Sequence, residues 1–82
     1  MDIQNELVNH VRNYDFFKNR NLEEILYVNY IIESALSSLE MIELISFCEE
    51  LFDVSFEQED LDSEDFQSIA GLVKLVKNKS GA

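Results

Sequence analysis

The amino-acid sequence predicts an all-α fold: a four-helix bundle with three longer helices and a short third one. Apolar residues recur at three- and four-residue spacings in three segments, and serines stand at N-cap positions before two of these segments. The chain also has no proline and only two glycines. Because its 82 residues are 46% hydrophobic, they support one core, and we expect a single domain over residues 1–82.

The first predicted helix is amphipathic and about four turns long. Its apolar positions are Ile3, Leu7, Val8, Val11 and Tyr14. We expect it to end near residues 16–18, before the polar segment 19–21.

Residues 22–36 are predicted to form a long loop containing at most a short helical turn. Asn21 followed by Glu24 indicates a helix start. The residues after Leu26 are mostly aromatic or β-branched, which favours extended chain. We expect the apolar side chains of this loop to be held against the core.

The second predicted helix begins at the serine pair in ALSSLEMIEL, residues 35–44. Ser37 as N-cap makes Glu40 the third helical residue, which gives a capping box. Ser38 then lies in the first turn, where its side chain can face water. Backbone N–H groups and the helix dipole favour an anion there.

The second helix is predicted to be amphipathic with an acidic front. One face carries Leu44, Ile45, Cys48 and Phe52, and another carries Glu40, Glu43 and Glu50. Three residues lie toward the border of the acidic face: Ile42, Ser46 and Phe47. Exposed apolar groups among carboxylates suit a docking surface, although Phe47 is also interpretable as an ordinary core residue.

Two further elements complete the predicted bundle. A short acidic turn spans residues 58–62, and Ser68 caps a last helix. The apolar positions of that helix are Ile69, Leu72, Val73, Leu75 and Val76, and its lysines are Lys74, Lys77 and Lys79.

The charge distribution restricts the class of partner. The net charge is −11, and 14 of the 17 acidic residues lie between Arg20 and Lys74, an interval without any basic residue. Such a field repels nucleic acid and anionic membrane surfaces, and it attracts basic protein surfaces. A solvated acidic surface that only maintains solubility is the alternative interpretation.

Cysteine content and hydropathy indicate the compartment. Cys48 is the one cysteine, and we find no export signal or apolar run of membrane length. We therefore expect a soluble, cytoplasmic protein.

Residues 33–76 resemble an acyl carrier protein. That family has a Gly-x-Asp-Ser-Leu motif at the start of its second helix, an acidic helix ending in Glu-Glu-x-Phe, an acidic third helix, and a Phe-x-Ser-Ile-like start of the fourth. The matching residues, in register without a gap, are Ala35-Leu36-Ser37-Ser38-Leu39, Glu40, Ile42, Glu43-Leu44, Glu49-Glu50-Leu51-Phe52, Glu59-Asp60-Leu61 and Phe66-Gln67-Ser68-Ile69. Ala35 and Ser37 depart from the motif, because Ser37 can replace the cap of the family's aspartate but not its charge.

The resemblance implies a specialised stand-alone carrier without enzymatic activity of its own. Ser38 would be the attachment site of 4'-phosphopantetheine, derived from coenzyme A, whose thiol carries acyl or aminoacyl groups as thioesters in fatty acid, polyketide or aminoacyl biosynthesis. The expected partners of this monomer are a phosphopantetheinyl transferase, a loading enzyme, and downstream transferases or synthases with basic docking surfaces. The implied docking residues are Leu39, Glu40, Ile42, Glu43, Ser46, Phe47, Glu49 and Glu50.

Other classes of function fit the sequence less well. A calcium loop starting at Asp60 would have Asp65 at its glycine position and Gly71 at its bidentate glutamate position, so we expect no metal site. A hydrolase would need a base beside its nucleophile, whereas His10 is predicted to be a helix-surface residue and Cys48 a small core residue. The main alternative is an unmodified acidic helical adaptor that binds basic protein surfaces.

Overall fold

The computed structural model describes residues 2–80, which form five α-helices and one 3-10 helix. The helices are α1 (Ile3–Val11), α2 (Leu22–Tyr27), α3 (Ser38–Phe52), α4 (Gln58–Leu61), the 3-10 helix (Glu64–Gln67) and α5 (Ile69–Ser80). No strand occurs within residues 2–80, which confirms the all-α prediction. Residues 22–27, predicted to contain at most a short helical turn, form α2, so five α-helices are present within residues 2–80 where four were predicted.

Helix α1 is shorter than predicted, since it ends at Val11 instead of near residues 16–18. The Asn13 side chain donates to the backbone carbonyl of His10 at 3.1 Å, and such side-chain bonds compete with helix continuation. The chain then follows a series of turns through residue 19. Tyr14 and Phe17 are nevertheless buried, so the apolar pattern beyond Val11 marks core residues outside any helix.

Helix α2 replaces part of the predicted loop. Asn21 is its N-cap, and its side-chain oxygen accepts from the backbone N–H of Glu24 at 2.9 Å. Ile25 and Leu26 are buried, as expected for apolar residues held against the core, whereas Tyr27 is exposed. Six residues make this element longer than a single turn.

Helix α5 is the centre of the packing. It contacts α1, α2, α3 and the 3-10 helix. Fully burying one aliphatic side chain contributes about 1.5–3 kcal/mol, so this shared core is the main source of stability. Its fully buried side chains include Leu7, Val11, Phe17, Ile25, Tyr30, Leu44, Cys48, Ile69, Leu72 and Val76.

The start of α5 lies very close to the 3-10 helix. The hydroxyl of Ser68 accepts from the backbone N–H of Gly71 at 3.0 Å, which confirms the predicted cap. A Cβ at Gly71 would lie 2.7 Å from both Cα and the carbonyl carbon of Asp65, and closer still to its carbonyl oxygen. Glycine at this position therefore allows two backbones to touch.

Tyr30 fixes the segment before α3 to the 3-10 helix. Its side chain is 1% exposed, and its phenol donates to the backbone carbonyl of Phe66. Its backbone N–H donates to the carbonyl of Gln67 at 3.0 Å. These bonds position the chain that leads into α3.

At the other end, Lys79 and Asp60 form an ion pair of 2.6 Å between α5 and α4. The backbone N–H of Glu57 also donates to Asp60 at 2.8 Å, and these two bonds lower the pKa of the Asp60 carboxyl.

None of the helices within residues 2–80 combines the length and apolar character that a membrane span requires.

Candidate functional site

The start of α3 has the capping box that the sequence predicts. The Ser37 hydroxyl accepts from the backbone N–H of Glu40 at 3.1 Å, and the Glu40 carboxylate accepts from the backbone N–H of Ser37 at 2.9 Å. Both side chains are turned back onto the helix end, which satisfies two backbone donors. Ser37 therefore has a structural role, as expected.

Ser38 is the first helical residue of α3, and its side chain is exposed. It lies among the backbone N–H groups at the positive end of a 15-residue helix. An anion attached to its hydroxyl would be stabilised there, by about 0.3–1 kcal/mol for an exposed site. The serine pair thus separates into one capping and one solvent-facing hydroxyl.

The four glutamates of α3 that were predicted to bind partners fall into two pairs. Glu40 is engaged in the capping box, and Glu49 accepts from the backbone N–H of Phe56 at 2.9 Å. Glu43 and Glu50 are exposed. Glu43 and Glu50 can therefore form ion pairs with a partner without breaking a hydrogen bond to the backbone, whereas Glu40 and Glu49 each accept one.

Two large apolar residues of α3 face solvent beside these carboxylates. Leu39 is 66% exposed and Ile42 is 61% exposed. Ser46 is also exposed, whereas Phe47 is half-buried and packs against the core. A shallow open depression of about 330 Å³ is lined by Phe47, Glu50 and Leu51.

A contact between α1 and α3 involves His10, which was predicted to be a helix-surface residue and is partly buried. The His10 ring is stacked on Phe47 with ring centroids 4.0 Å apart and an interplanar angle of 13°. Its Nε2 lies 2.8 Å from the hydroxyl of Tyr14, which donates to the backbone carbonyl of Glu40 at 3.3 Å. The four-residue spacing of His10 and Tyr14 was a signal for their contact, but nothing local indicated Phe47.

Burial is the main cause of the shifted pKa values of His10 and Tyr14. It lowers the pKa of His10, with the nearby Glu43 carboxylate acting in the opposite direction. Burial, followed by the charges of Glu43 and Glu40, raises the pKa of Tyr14 to about 12. Neutral Tyr14 thus binds the first turn of α3, and neutral His10 connects α1 to Phe47 further along α3.

Cys48 is fully buried, which confirms its prediction as a core residue. Burial, with a smaller contribution from Glu49, raises the pKa of its thiol to about 12. A thiol of that pKa is a poor nucleophile at neutral pH.

Within residues 2–80, no cluster of His, Cys, Asp and Glu is arranged to hold a metal ion.

Comparison with known proteins does not assign this site. No family model matches the chain, and neither curated proteins nor solved structures gave a significant match. The function must therefore be inferred from the residues and the geometry of α3.

Proposed function

We propose that this protein is an acyl carrier that holds acyl or aminoacyl groups on a 4'-phosphopantetheine arm attached to Ser38. The observation that carries the proposal is the separation of the two serines. Ser37 is engaged in the capping box, and Ser38 is free and exposed at the first residue of α3. We further propose that α1, α3, α4 and α5 correspond to the four helices of an acyl-carrier bundle.

The surroundings of Ser38 fit a phosphodiester. The hydroxyl is exposed, so a transferase can reach it, and the positive end of α3 favours the negative charge of the ester. The attached group would supply a thiol for thioester exchange. The protein's own residues would position that thiol and raise its effective concentration at a docked enzyme.

The exposed side of α3 would provide the docking surface for those enzymes. Glu43 and Glu50 supply negative charge that steers basic partners, and Leu39 and Ile42 supply apolar area that is buried on contact. Glu40 and Glu49 contribute charge while retaining their backbone contacts. An adaptor without the arm would use the same surface, so modification of Ser38 is the deciding observation.

Ser38→Ala is expected to abolish modification completely. The protein is incubated with coenzyme A and a broad-specificity phosphopantetheinyl transferase, and intact-protein mass spectrometry measures the added arm. Ser37→Ala is the matched control: it should still gain the arm, while losing about 1 kcal/mol of stability with its cap. Unmodified parent protein would refute the carrier proposal and favour the adaptor.

Ser37→Asp is expected to accelerate modification with little change in stability. Aspartate caps a helix about as well as serine, and its charge is favoured at the N-terminus of α3. It also restores the carboxylate that the acyl carrier motif presents to the transferase. Initial rates of arm transfer, with melting temperatures measured in parallel, test this expectation. Equal rates would show that the missing carboxylate does not limit modification.

A further inference from the structure

A single helical turn at residues 30–34 connects α2 to α3, and both of its ends are fixed. We call it the connecting turn. At its start, the side-chain oxygen of Asn29 accepts from the backbone N–H groups of Ile31 and Ile32, at 3.1 and 2.9 Å. At its end, Ser34 has a left-handed φ of 50°, and the following backbone N–H donates to the carbonyl five residues back at 3.0 Å.

The connecting turn is also bound to the rest of the fold. The amide of Asn29 donates to the side-chain oxygen of Gln67 at 2.8 Å, and Tyr30 is buried with its two bonds to the 3-10 helix. These hydrogen bonds favour a single backbone conformation of this segment in the absence of a partner. Binding to it would not require ordering of a flexible loop, which is a major cost of association.

The connecting turn and the end of α2 hold three large apolar side chains in solvent. Tyr27 is 68% exposed, Ile31 is 44% exposed and Ile32 is 76% exposed. Because Tyr30 points into the core, the two residues after it on the same turn lie outside. At the end of the same turn, the non-glycine residue Ser34 has a left-handed conformation, which is unfavourable for such residues.

Charge defines the partner that suits these side chains. Glu23 and Glu33 are exposed in the same segment, and residues 21–73 contain no lysine or arginine. A second copy of this chain, with its own net charge of −11, would be repelled, and so would an anionic lipid surface. An apolar cleft bordered by lysine or arginine would be complementary.

We propose that Tyr27, Ile31 and Ile32 form a docking surface, distinct from that on α3, for a protein partner with an apolar cleft bordered by basic residues. The aromatic and two aliphatic side chains enter the cleft, and the carboxylates of Glu23 and Glu33 meet its basic border. This surface does not depend on modification of Ser38. It would serve a carrier and an adaptor equally.

A synthetic helical-hairpin peptide of leucine and lysine, whose two paired helices form an apolar groove bordered by lysines, is the probe for this surface. It is titrated into isotope-labelled protein, and NMR gives both the residues affected and the Kd. We expect the largest amide shift changes at residues 27–33. The double variant Ile31→Gln/Ile32→Gln should raise the Kd about fivefold or more, since two buried aliphatic groups are lost.

The control is Leu51→Gln, which removes an exposed aliphatic group of α3 that belongs to neither docking surface and should change the Kd less than about twofold. Tyr27→Gln provides a single-site test, expected to weaken binding in the same direction, and melting curves establish that each variant is folded. A turn variant that binds as tightly as the parent protein overturns the proposal. Equal or greater loss of affinity in the α3 variant also overturns it. Neither result affects the Ser38 mass measurement, so the two proposals fail separately.

Discussion

Replacing Gly71 with alanine is expected to destabilise the protein by about 3 kcal/mol or more. The added Cβ would lie 2.7 Å from two backbone atoms of Asp65 and closer to a third, and a backbone cannot move aside as a flexible side chain can. The 3-10 helix would have to separate from α5. A chain of this length has a total stability of about 4–12 kcal/mol, so a loss of about 3 kcal/mol would remove between a quarter and three quarters of it.

The sign of the change in the free energy of unfolding on Gly71→Ala distinguishes the effect of the close backbone contact from that of helix propensity. Helix propensity alone predicts the opposite result, a stabilisation of about 1 kcal/mol on replacing glycine with alanine inside a helix. Asn78→Ala, at an exposed position of the same helix, is the control and should change the free energy of unfolding by about 0.5 kcal/mol or less. Urea denaturation measures both variants. A higher urea midpoint for Gly71→Ala would contradict the close backbone contact.

Tyr30→Phe is expected to cost about 1–3 kcal/mol, although it removes a single oxygen atom. The phenol of Tyr30 donates to the backbone carbonyl of Phe66, and the Tyr30 side chain is almost completely buried. Without that donor, the carbonyl loses its partner in a place that water does not readily reach. The segment before α3 would also lose one of its bonds to the 3-10 helix.

The control for this prediction is Tyr27→Phe, because it removes the same atom from an exposed side chain. It should change the free energy of unfolding by less than about 0.5 kcal/mol. Urea or thermal unfolding of both variants gives the difference. Equal effects in the two variants would indicate that the buried hydrogen bond contributes nothing to stability.

The elements that the sequence predicted best are those whose determinants are local. The capping box of Ser37 and Glu40 spans four residues, and the cap by Ser68 also acts within one turn. Such signals need no knowledge of the rest of the chain. The burial of Leu44 and Cys48 followed from helical spacing alone.

The errors arose where distant contacts decide the structure. Tyr14 continued the apolar period of α1, yet it is buried from a turn and bonded to the carbonyl of Glu40, 26 residues away. The stack of His10 on Phe47 likewise joins two helices that are far apart in sequence. Periodicity reports which residues are buried, but it does not report whether the backbone between them stays helical.

The position of the candidate site could be predicted from the sequence. The hydrogen bonds that its acidic residues accept could be predicted only in part. Sequence spacing placed Ser38 in the first turn of α3, and the structure agrees. The bond from the Phe56 N–H to Glu49 requires the chain reversal that follows the left-handed residue Asp53, and no spacing rule indicates it. Half of the predicted acidic docking residues therefore have an internal bonding role as well.

Because Cys48 is buried, the reaction of its thiol with a labelling reagent can be used to measure how often α3 separates from the core. A thiol reagent can react with this thiol only in molecules where α3 has separated from the core, so the labelling rate reports either the opening rate or the opening equilibrium. A thiol carried on an arm at the exposed Ser38 would react without that delay. The two thiols of a modified carrier could then be distinguished by reaction time alone, in the native protein and without mutation.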